Sequence, residues 1–410
     1  MLNITLQASS RKLVGSRRRP SLTLPLILFM LVGVHTARGQ NFTTIYNFEG
    51  SPDGALPFAG VIQDKTGNIY GTTSYGGAFN AGSVFKVNAS GTEETLYSFT
   101  GGTDGNTPYG ALTLDKFGNL YGTTYVGGSY NLGVIFKVDP TGNETVLHHF
   151  AGGDSDGCYP SGKLVGSKGA FYGTTSLCGA TFQGVIFKLN KKWQLTVVHS
   201  FSGSDGANPF YGGLLKDKAG NFYGVTDYGG NLTCPGGLGC GVVYQLDQQG
   251  TLNVLYRFAG GATDGCSPLG SVVMDKSGDL FGITNGCGAS NYGTVWHLSN
   301  GAESVIHHFA GAPFDGARPV AGLVRDSKGN LYGVTEDGGS TSCGGVGCGA
   351  VYRLGRDGTL KLLHSFSYSD GATPDGELFR GPSGKLFGTT YFGGSNSCGS
   401  GCGSVWSLTK

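Results

Sequence analysis

The sequence has little charge and no helical pattern. Asp, Glu, Lys and Arg make up 13% of its 410 residues, and after residue 40 apolar residues do not recur with a helical period. The first 39 residues hold six basic residues and no acidic ones, which leaves 22 basic and 27 acidic residues and a net charge of about −5. Because this balance offers no basic surface, nucleic acid and anionic membranes are excluded as partners.

Long apolar runs are also missing, apart from one near the N-terminus. A basic segment at 11–19 precedes an apolar run at 22–34, and small residues follow at 37 and 39, where a signal peptidase reads the chain. The apolar run is short for a membrane span. We therefore predict a signal peptide at 1–39 and a mature protein at 40–410 that has no stable membrane span after cleavage and is secreted or held in the periplasm or cell envelope. An uncleaved anchor stays the alternative.

What the sequence has in excess is glycine, with 77 residues, alongside 11% aromatic residues. This combination indicates short strands joined by tight turns. A motif of Asp-Gly, two variable residues and Pro occurs seven times at intervals of 49 to 59 residues. We predict seven repeats, which begin near Asp53, Asp104, Asp156, Asp205, Asp264, Asp315 and Asp370.

Each repeat has the pattern of four strands. In the second repeat, a short apolar segment at 111–114 precedes an Asp-x-x-Gly-Asn turn, an aromatic strand at 120–124, a Gly-rich loop and two further strands. The third strand always carries an aromatic residue, at Phe85, Phe136, Phe187, Tyr244, Trp296, Tyr352 and Trp406. The fourth ends in Tyr or His, one further residue, then Phe. Four strands repeated seven times predict an all-β, seven-bladed propeller with antiparallel blades.

The two ends of the chain complement each other. Residues 42–48 fit the fourth-strand pattern, whereas the chain stops after a third strand at 405–408. We predict that the N-terminal strand closes the last blade, which removes an exposed sheet edge. We expect Phe42, Ile45 and Phe48 to be buried there. An open solenoid is the alternative, although it would need caps.

The string Gly322-Leu323-Val324-Arg325-Asp326, followed by 329–335 (Gly-Asn-Leu-Tyr-Gly-Val-Thr), resembles the mark of the GloVer-repeat proteins of bacteria. The resemblance covers the mature chain. It implies an exported propeller and carries little information about function. Members often carry a C-terminal sorting anchor, and none follows Lys410 in this sequence, which puts sorted surface attachment in doubt.

Ten cysteines in an exported chain indicate disulfides. Two repeats have gained cysteines at the same two positions, and the other six cysteines are near neighbours in loops between the second and third strands. A metal site is the alternative, but its ligands would come from separate blades and no His lies nearby. The predicted pairs are Cys158–Cys178, Cys234–Cys240, Cys266–Cys287, Cys343–Cys348 and Cys398–Cys402.

Histidines and the repeated aspartates have structural explanations. Six of the eight histidines fall on outermost strands, where Tyr replaces His in other repeats. The Asp-Gly pairs suit turns, because Asp caps the backbone with its own side chain. One carboxylate per blade does not supply a calcium site. We therefore expect no catalytic residue, no cofactor and no metal site.

Residues that break the repeat are better candidates for function. They follow the second strand, on the face shared with the Asp-Gly loops, at 74–75, 125–126, 227–228, 336–337 and 391–392. Aromatic and acidic groups around a shallow funnel suit sugars or peptides. The candidate ligand face consists of Asp227, Tyr228, Glu336, Asp337 and Tyr391.

The favoured function is a non-enzymatic exported module that binds a glycan or an envelope protein through this face. A metal-dependent enzyme is one alternative, because Asp-x-x-Gly-Asn-Leu turns such as 115–120 resemble those of propeller lyases and lactonases; no matching metal or His/Glu set can be placed here. A purely architectural envelope protein is the other alternative.

Overall fold

A computed structural model describes residues 40–211, 213–234, 236–395 and 397–409. The predicted signal peptide lies outside the described residues. Within them, the chain forms seven antiparallel sheets that share one four-stranded plan, and residues 39–410 make a single compact unit. This confirms the all-β, seven-bladed propeller. No helix in the described ranges is long and apolar enough to cross a membrane.

We number the blades along the chain and give their strands from the innermost to the outermost. Blades 1 to 4 consist of Ile62–Gln63, Ile69–Thr73, Ser83–Val87 and Glu93–Ser98; Thr113–Leu114, Leu120–Thr124, Val134–Val138 and Glu144–His149; Gly157–Pro160 with Val165–Ser167, Ala170–Cys178, Val185–Leu189 and Leu195–Ser200; and Leu215–Lys216, Phe222–Thr226, Val242–Leu246 and Leu252–Arg257.

Blades 5 to 7 consist of Gly265–Met274, Leu280–Cys287, Thr294–Ser299 and Ala302–His308; Gly316–Pro319 with Val324–Arg325, Leu331–Gly338, Ala350–Leu354 and Leu360–Ser365; and Phe379–Arg380, Leu386–Thr390, Ser404–Thr409 and Asn41–Asn47. In blade 1 a short ladder joins Gly54–Ala55 to Tyr75–Gly76. A 3-10 turn spans Cys343–Gly345.

The core of the ring is built from one aromatic contact that recurs between neighbouring blades. The Phe at the end of each outermost strand packs edge-on against the third-strand aromatic of the next blade, as Phe99 does on Phe136 at 5.0 Å between ring centroids. The second-strand Gly leaves room for that ring, because a Cβ on Gly122 would lie 2.5 Å from Phe136. The seven aromatic pairs are Phe48–Phe85, Phe99–Phe136, Phe150–Phe187, Phe201–Tyr244, Phe258–Trp296, Phe309–Tyr352 and Phe366–Trp406.

The N-terminal strand closes the ring as predicted. Asn41–Asn47 pairs antiparallel with Ser404–Thr409, and Phe48 completes the last aromatic contact from a fully buried position. Phe42 and Ile45, however, are only half-buried. An outermost strand has one face toward solvent, and Ile45 occupies the bulge between Thr44 and Tyr46. Phe48 therefore carries most of the burial at this closure.

The repeated Asp-Gly aspartates hold consecutive blades together. Asp104 accepts hydrogen bonds from the Tyr97 hydroxyl at 2.9 Å and from the Thr100 backbone N–H. In blade 3 the same position, Asp156, meets Nε2 of His148 at 3.0 Å. Tyr and His replace one another at this position of the repeat because both place a polar atom at the end of a ring beside this carboxylate. The seven hydrogen-bonded pairs are Tyr46–Asp53, Tyr97–Asp104, His148–Asp156, His199–Asp205, Tyr256–Asp264, His307–Asp315 and His364–Asp370.

The five predicted disulfides are present, with Cα–Cα distances of 5.2–5.7 Å. These distances lie in the usual range for disulfides. Cys158–Cys178 and Cys266–Cys287 join the first and second strands of blades 3 and 5. The other three close the loops between the second and third strands of blades 4, 6 and 7.

Around the axis, the innermost segments of the blades touch one another. A Cβ on Gly60 would lie 2.1 Å from the Glu377 carbonyl oxygen, and a Cβ on Gly322 would lie 2.6 Å from the Ser271 backbone. The Glu377 side chain reaches from blade 7 to blade 5, where its Oε1 accepts the Ser271 N–H at 3.0 Å. We call this level, formed by Gly60, Gly322, Ser271 and Glu377, the floor of the axial funnel.

This contact makes Gly60 a stringent position. Gly60→Ala should lower the free energy of unfolding by about 1–3 kcal/mol, because neighbouring backbone must move to admit a methyl group. Chemical denaturation of the parent and the variant measures the difference. Gly166→Ala is the matched control, since a Cβ there meets its nearest atom at 4.0 Å. Equal stability of the Gly60→Ala variant and the parent would show that the floor is loosely packed.

Candidate functional site: the axial funnel

The residue before the motif Pro has the same unusual backbone in every blade. Its φ lies between 53° and 59°, a left-handed conformation that side chains other than Gly seldom adopt. Its N–H donates to a carbonyl of the preceding blade at 2.8–3.1 Å, and these bonds hold the conformation in place. The seven residues with this conformation are Leu56, Thr107, Tyr159, Asn208, Ser267, Arg318 and Thr373.

A small cavity marks the axis above the floor. Side chains from six blades line it, and only the axis of a propeller brings so many blades together. Its volume is about 30 Å³, room for one or two water molecules. Phe58, Tyr109, Tyr211 and Asp375 are among the residues that surround it. These side chains form the bottom of the funnel.

Aromatic side chains dominate one side of the funnel. The ring of Phe58 lies 4.6 Å from Tyr109 and 4.8 Å from Tyr211, between centroids. Tyr125 extends the group, at 5.1 Å from both Tyr109 and Tyr159. All of these rings are partly exposed. The aromatic cluster comprises Phe58, Tyr109, Tyr125, Tyr159, Phe210, Tyr211 and Tyr391.

The phenols of Tyr109, Tyr211 and Tyr391 stay protonated at neutral pH. Burial raises the pKa of Tyr391 to about 12, and burial also raises the pKa values of Tyr109 and Tyr211. Each hydroxyl can therefore donate one hydrogen bond as well as accept. Flat apolar faces with neutral hydroxyls at their edges suit a ligand that has both apolar and hydroxyl-bearing surfaces.

The other side of the funnel is acidic. Arg318 forms ion pairs with Asp337 and with Glu336, the latter at 3.5 Å between Nε and Oε2. Asp375 lies deeper, and burial together with the nearby Glu336 holds its pKa well above the usual range. Its Oδ1 is buried and makes no hydrogen bond to any described residue. Three carboxyl groups thus share a single arginine.

The structure divides the five residues that the sequence singled out. Glu336, Asp337 and Tyr391 belong to the axial funnel. Asp227 is buried, a position that raises its pKa to about 6, and it interacts with Ser267 and Tyr228. Tyr228 instead lines a separate cavity of about 650 Å³ between blades 4 and 5, which also contains Cys266 and Cys287. The five side chains do not converge on one ligand position.

Several funnel residues escaped the sequence analysis. Phe58, Tyr109, Arg318 and Asp375 flank the motif Pro, in a segment that the sequence marked only as a turn. An alignment of the seven copies at that Pro would have shown aromatic and charged residues where a turn needs neither. In blade 4, one additional residue between Pro209 and Leu214 obscures this alignment.

The Asp-x-x-Gly-Asn turns lie at the strand ends opposite the funnel loops. Asp115 accepts hydrogen bonds from the N–H groups of Phe117 and Asn119, from the Asn119 amide and from the Tyr121 hydroxyl, at 2.8–3.2 Å. Its carboxylate is therefore fully engaged in the turn. Within the described ranges, no group of three or more His, Cys, Asp or Glu residues is arranged to hold a metal ion.

The repeat identifies the family. The profile of the Gloeobacter/Verrucomicrobia repeat matches residues 32–167, 154–346 and 232–409, and the chain belongs to this family. This confirms the resemblance found in the sequence. None of the curated proteins matches the sequence.

Two solved structures are similar to this chain at low sequence identity. The extracellular domain of a hybrid two-component system from B. thetaiotaomicron is 12% identical, with a TM-score of 0.55 over 89% of this chain and 39% of that one. The chain thus spans about two fifths of that protein. A gluconolactonase from Xanthomonas campestris is 16% identical, with a TM-score of 0.43 over 90% and 89% of the two chains. At 12% identity the similarity to the extracellular domain concerns the fold alone.

Proposed function

We propose that this protein is an exported binding module and that it binds a carbohydrate in the axial funnel. The aromatic cluster is the observation that carries the proposal. Its rings come from blades 1, 2, 3, 4 and 7, and they remain partly exposed although the aromatic pairs between blades already form the core. Pyranose rings stack on such faces, and their hydroxyls match the phenols and carboxylates around them.

The disulfides support the exported location. Five disulfides in a chain of this size are typical of proteins that fold outside the reducing cytosol. A binding role also suits a site on loops above a rigid ring, because the scaffold fixes each side chain while the loops vary. The same loops differ from blade to blade in this protein.

The site can be tested with tyrosine variants on the same face. Once a screen of immobilised glycans identifies a ligand, Tyr125→Ala and Tyr391→Ala should each weaken its binding about tenfold or more, since each removes a stacking face. Isothermal titration measures the affinities. Tyr228→Ala is the matched control, because Tyr228 lies in the cavity between blades 4 and 5. If only the control variant loses affinity, that cavity is the site and the funnel is not.

A further inference from the structure

Among the acidic groups of the funnel, Asp375 has a buried carboxyl oxygen, Oδ1, that makes no hydrogen bond to any described residue. Asp375 lines the axial cavity together with Phe58, Tyr109 and Tyr211. An ionised carboxylate in such surroundings is costly unless a cation or a hydrogen-bond donor reaches it. The fold therefore leaves a strong acceptor at the bottom of the site.

The nearest cation is already engaged. The guanidinium of Arg318 contacts Asp337 and Glu336, the two carboxylates at the funnel mouth. Glu377, below, accepts the Ser271 N–H within the floor. Lys163 also lines the cavity, so its single charge is set against Glu377 and Asp375. The funnel as a whole carries more negative than positive groups, and a cationic ligand would balance them.

The aromatic walls add a second preference for a cation. Phe58 lies against Tyr109, Tyr211 and Tyr391, with centroid distances of 4.6–5.8 Å, and Tyr109, Tyr211 and Asp375 line the same cavity. Aromatic faces attract ammonium groups electrostatically, with a larger effect where water is excluded. A carboxylate enclosed by such rings is a suitable counter-ion for an amine.

We propose that the sugar bound in the funnel carries a free amino group, as in a de-N-acetylated hexosamine, and that Asp375 binds its ammonium. This inference rests on the proposed carbohydrate function and names its substrate class. The pyranose ring would stack on the aromatic cluster while the ammonium forms an ion pair with the Asp375 carboxylate, which lacks a cationic partner of its own. An acetamido group at that position is neutral and bulkier, and a hydroxyl is neutral, so both form weaker bonds to a carboxylate.

Three oligosaccharides of equal length separate these possibilities. Isothermal titration of the mature protein is performed with a β-1,4-linked glucosamine hexamer, its fully N-acetylated counterpart and the corresponding glucose hexamer, which carry an amine, an acetamide and a hydroxyl at the same carbon. We expect the dissociation constant of the amine-bearing hexamer to be lower than those of the other two by a factor of about ten or more. Equal or tighter binding of either neutral hexamer overturns the inference and leaves carbohydrate binding intact. Absence of any glycan ligand in the wider screen would overturn both.

Two variants in which an aspartate is replaced by asparagine then test which residue causes the preference for the amine. Asp375→Asn should abolish the preference for the amine, whereas Asp227→Asn should preserve it, because Asp227 lies apart and interacts with Ser267 and Tyr228. The Asp375 variant should fold, since Asn has the size of Asp and burial already disfavours the charged form of this carboxyl group; thermal unfolding verifies this. A preference that persists in Asp375→Asn means that another carboxylate binds the amine, and the assignment to Asp375 is then wrong.

Discussion

Removal of residues 40–49 from a chain of residues 40–410 is expected to abolish cooperative unfolding. The deletion takes away the outermost strand of blade 7, the Tyr46–Asp53 hydrogen bond and the contact of Phe48 with Phe85 at 5.0 Å. Loss of a fully buried Phe alone costs about 3–5 kcal/mol. That approaches the total stability of many domains, which is about 5–15 kcal/mol. Thermal unfolding followed by circular dichroism measures the loss.

A peptide in trans provides the control for this deletion. A synthetic peptide of residues 40–49 should restore a cooperative transition, because the sheet edge of Ser404–Thr409 is then paired again. A scrambled peptide of equal composition should not restore it. A truncated chain that melts at the parent's temperature without any peptide would contradict the closure of the ring by this strand.

Replacement of Glu93, Glu144 and Glu303 by Leu is expected to stabilise the protein at neutral pH. Each is the first or second residue of an outermost strand, at a position that other blades fill with Leu195, Leu252 or Leu360. Burial, together with a neighbouring aspartate, raises the pKa of each glutamate to about 7. Folding therefore opposes ionisation of these three side chains.

The raised pKa values of the three glutamates determine how the stability of the protein depends on pH. Because the folded pKa exceeds the unfolded one, the penalty is absent below the unfolded value and grows as the pH rises to about 7. At pH ~8 the free energy of unfolding of the triple variant should exceed that of the parent by about 1 kcal/mol per site. This is less than the full pKa shift implies, because solvent reaches these side chains. At pH ~4 the advantage should shrink to the gain from apolar burial. Chemical denaturation at both pH values measures it.

Glu94→Leu is the matched control for this experiment. Glu94 follows Glu93 on the same strand, but its side chain is 61% exposed and forms a surface ion pair with Lys86. Surface pairs of this kind contribute little to stability. The control should therefore show no gain that depends on pH. A triple variant whose advantage is the same at both pH values would show that the three glutamates ionise freely in the folded protein.

The fold was accessible from the sequence because each blade solves the same local problem. The Gly of the second strand and the aromatic of the third, such as Gly122 and Phe136, recur seven times because one cannot pack without the other. The cysteine pairs were predictable for the same reason, since equal positions in two blades must be equally close. Repetition converts long-range packing into a pattern that can be read along the chain.

The funnel was only partly accessible, because it depends on what differs between blades. Tyr391 and Phe58 come from opposite ends of the chain and meet only when the ring closes, with 5.8 Å between their centroids. Arg318 reaches Asp337 from a left-handed backbone conformation, and this conformation could not be predicted from the sequence. The loops after the second strands were correctly placed on the funnel face, yet Tyr228 faces away from the axis and Tyr391 toward it.

The packed floor determines which part of a polymer the funnel could accommodate. A Cβ at Gly60 or Gly322 would overlap neighbouring backbone, and the Glu377 side chain reaches from blade 7 to Ser271 of blade 5. Such tight packing opposes the threading of a chain molecule through the ring, so we expect a polysaccharide that reaches Asp375 to do so with a terminal residue. The amount of protein bound would then depend on the number of chain ends and not on chain length. Cleavage of a long polymer into short pieces would therefore increase the number of binding sites that it offers.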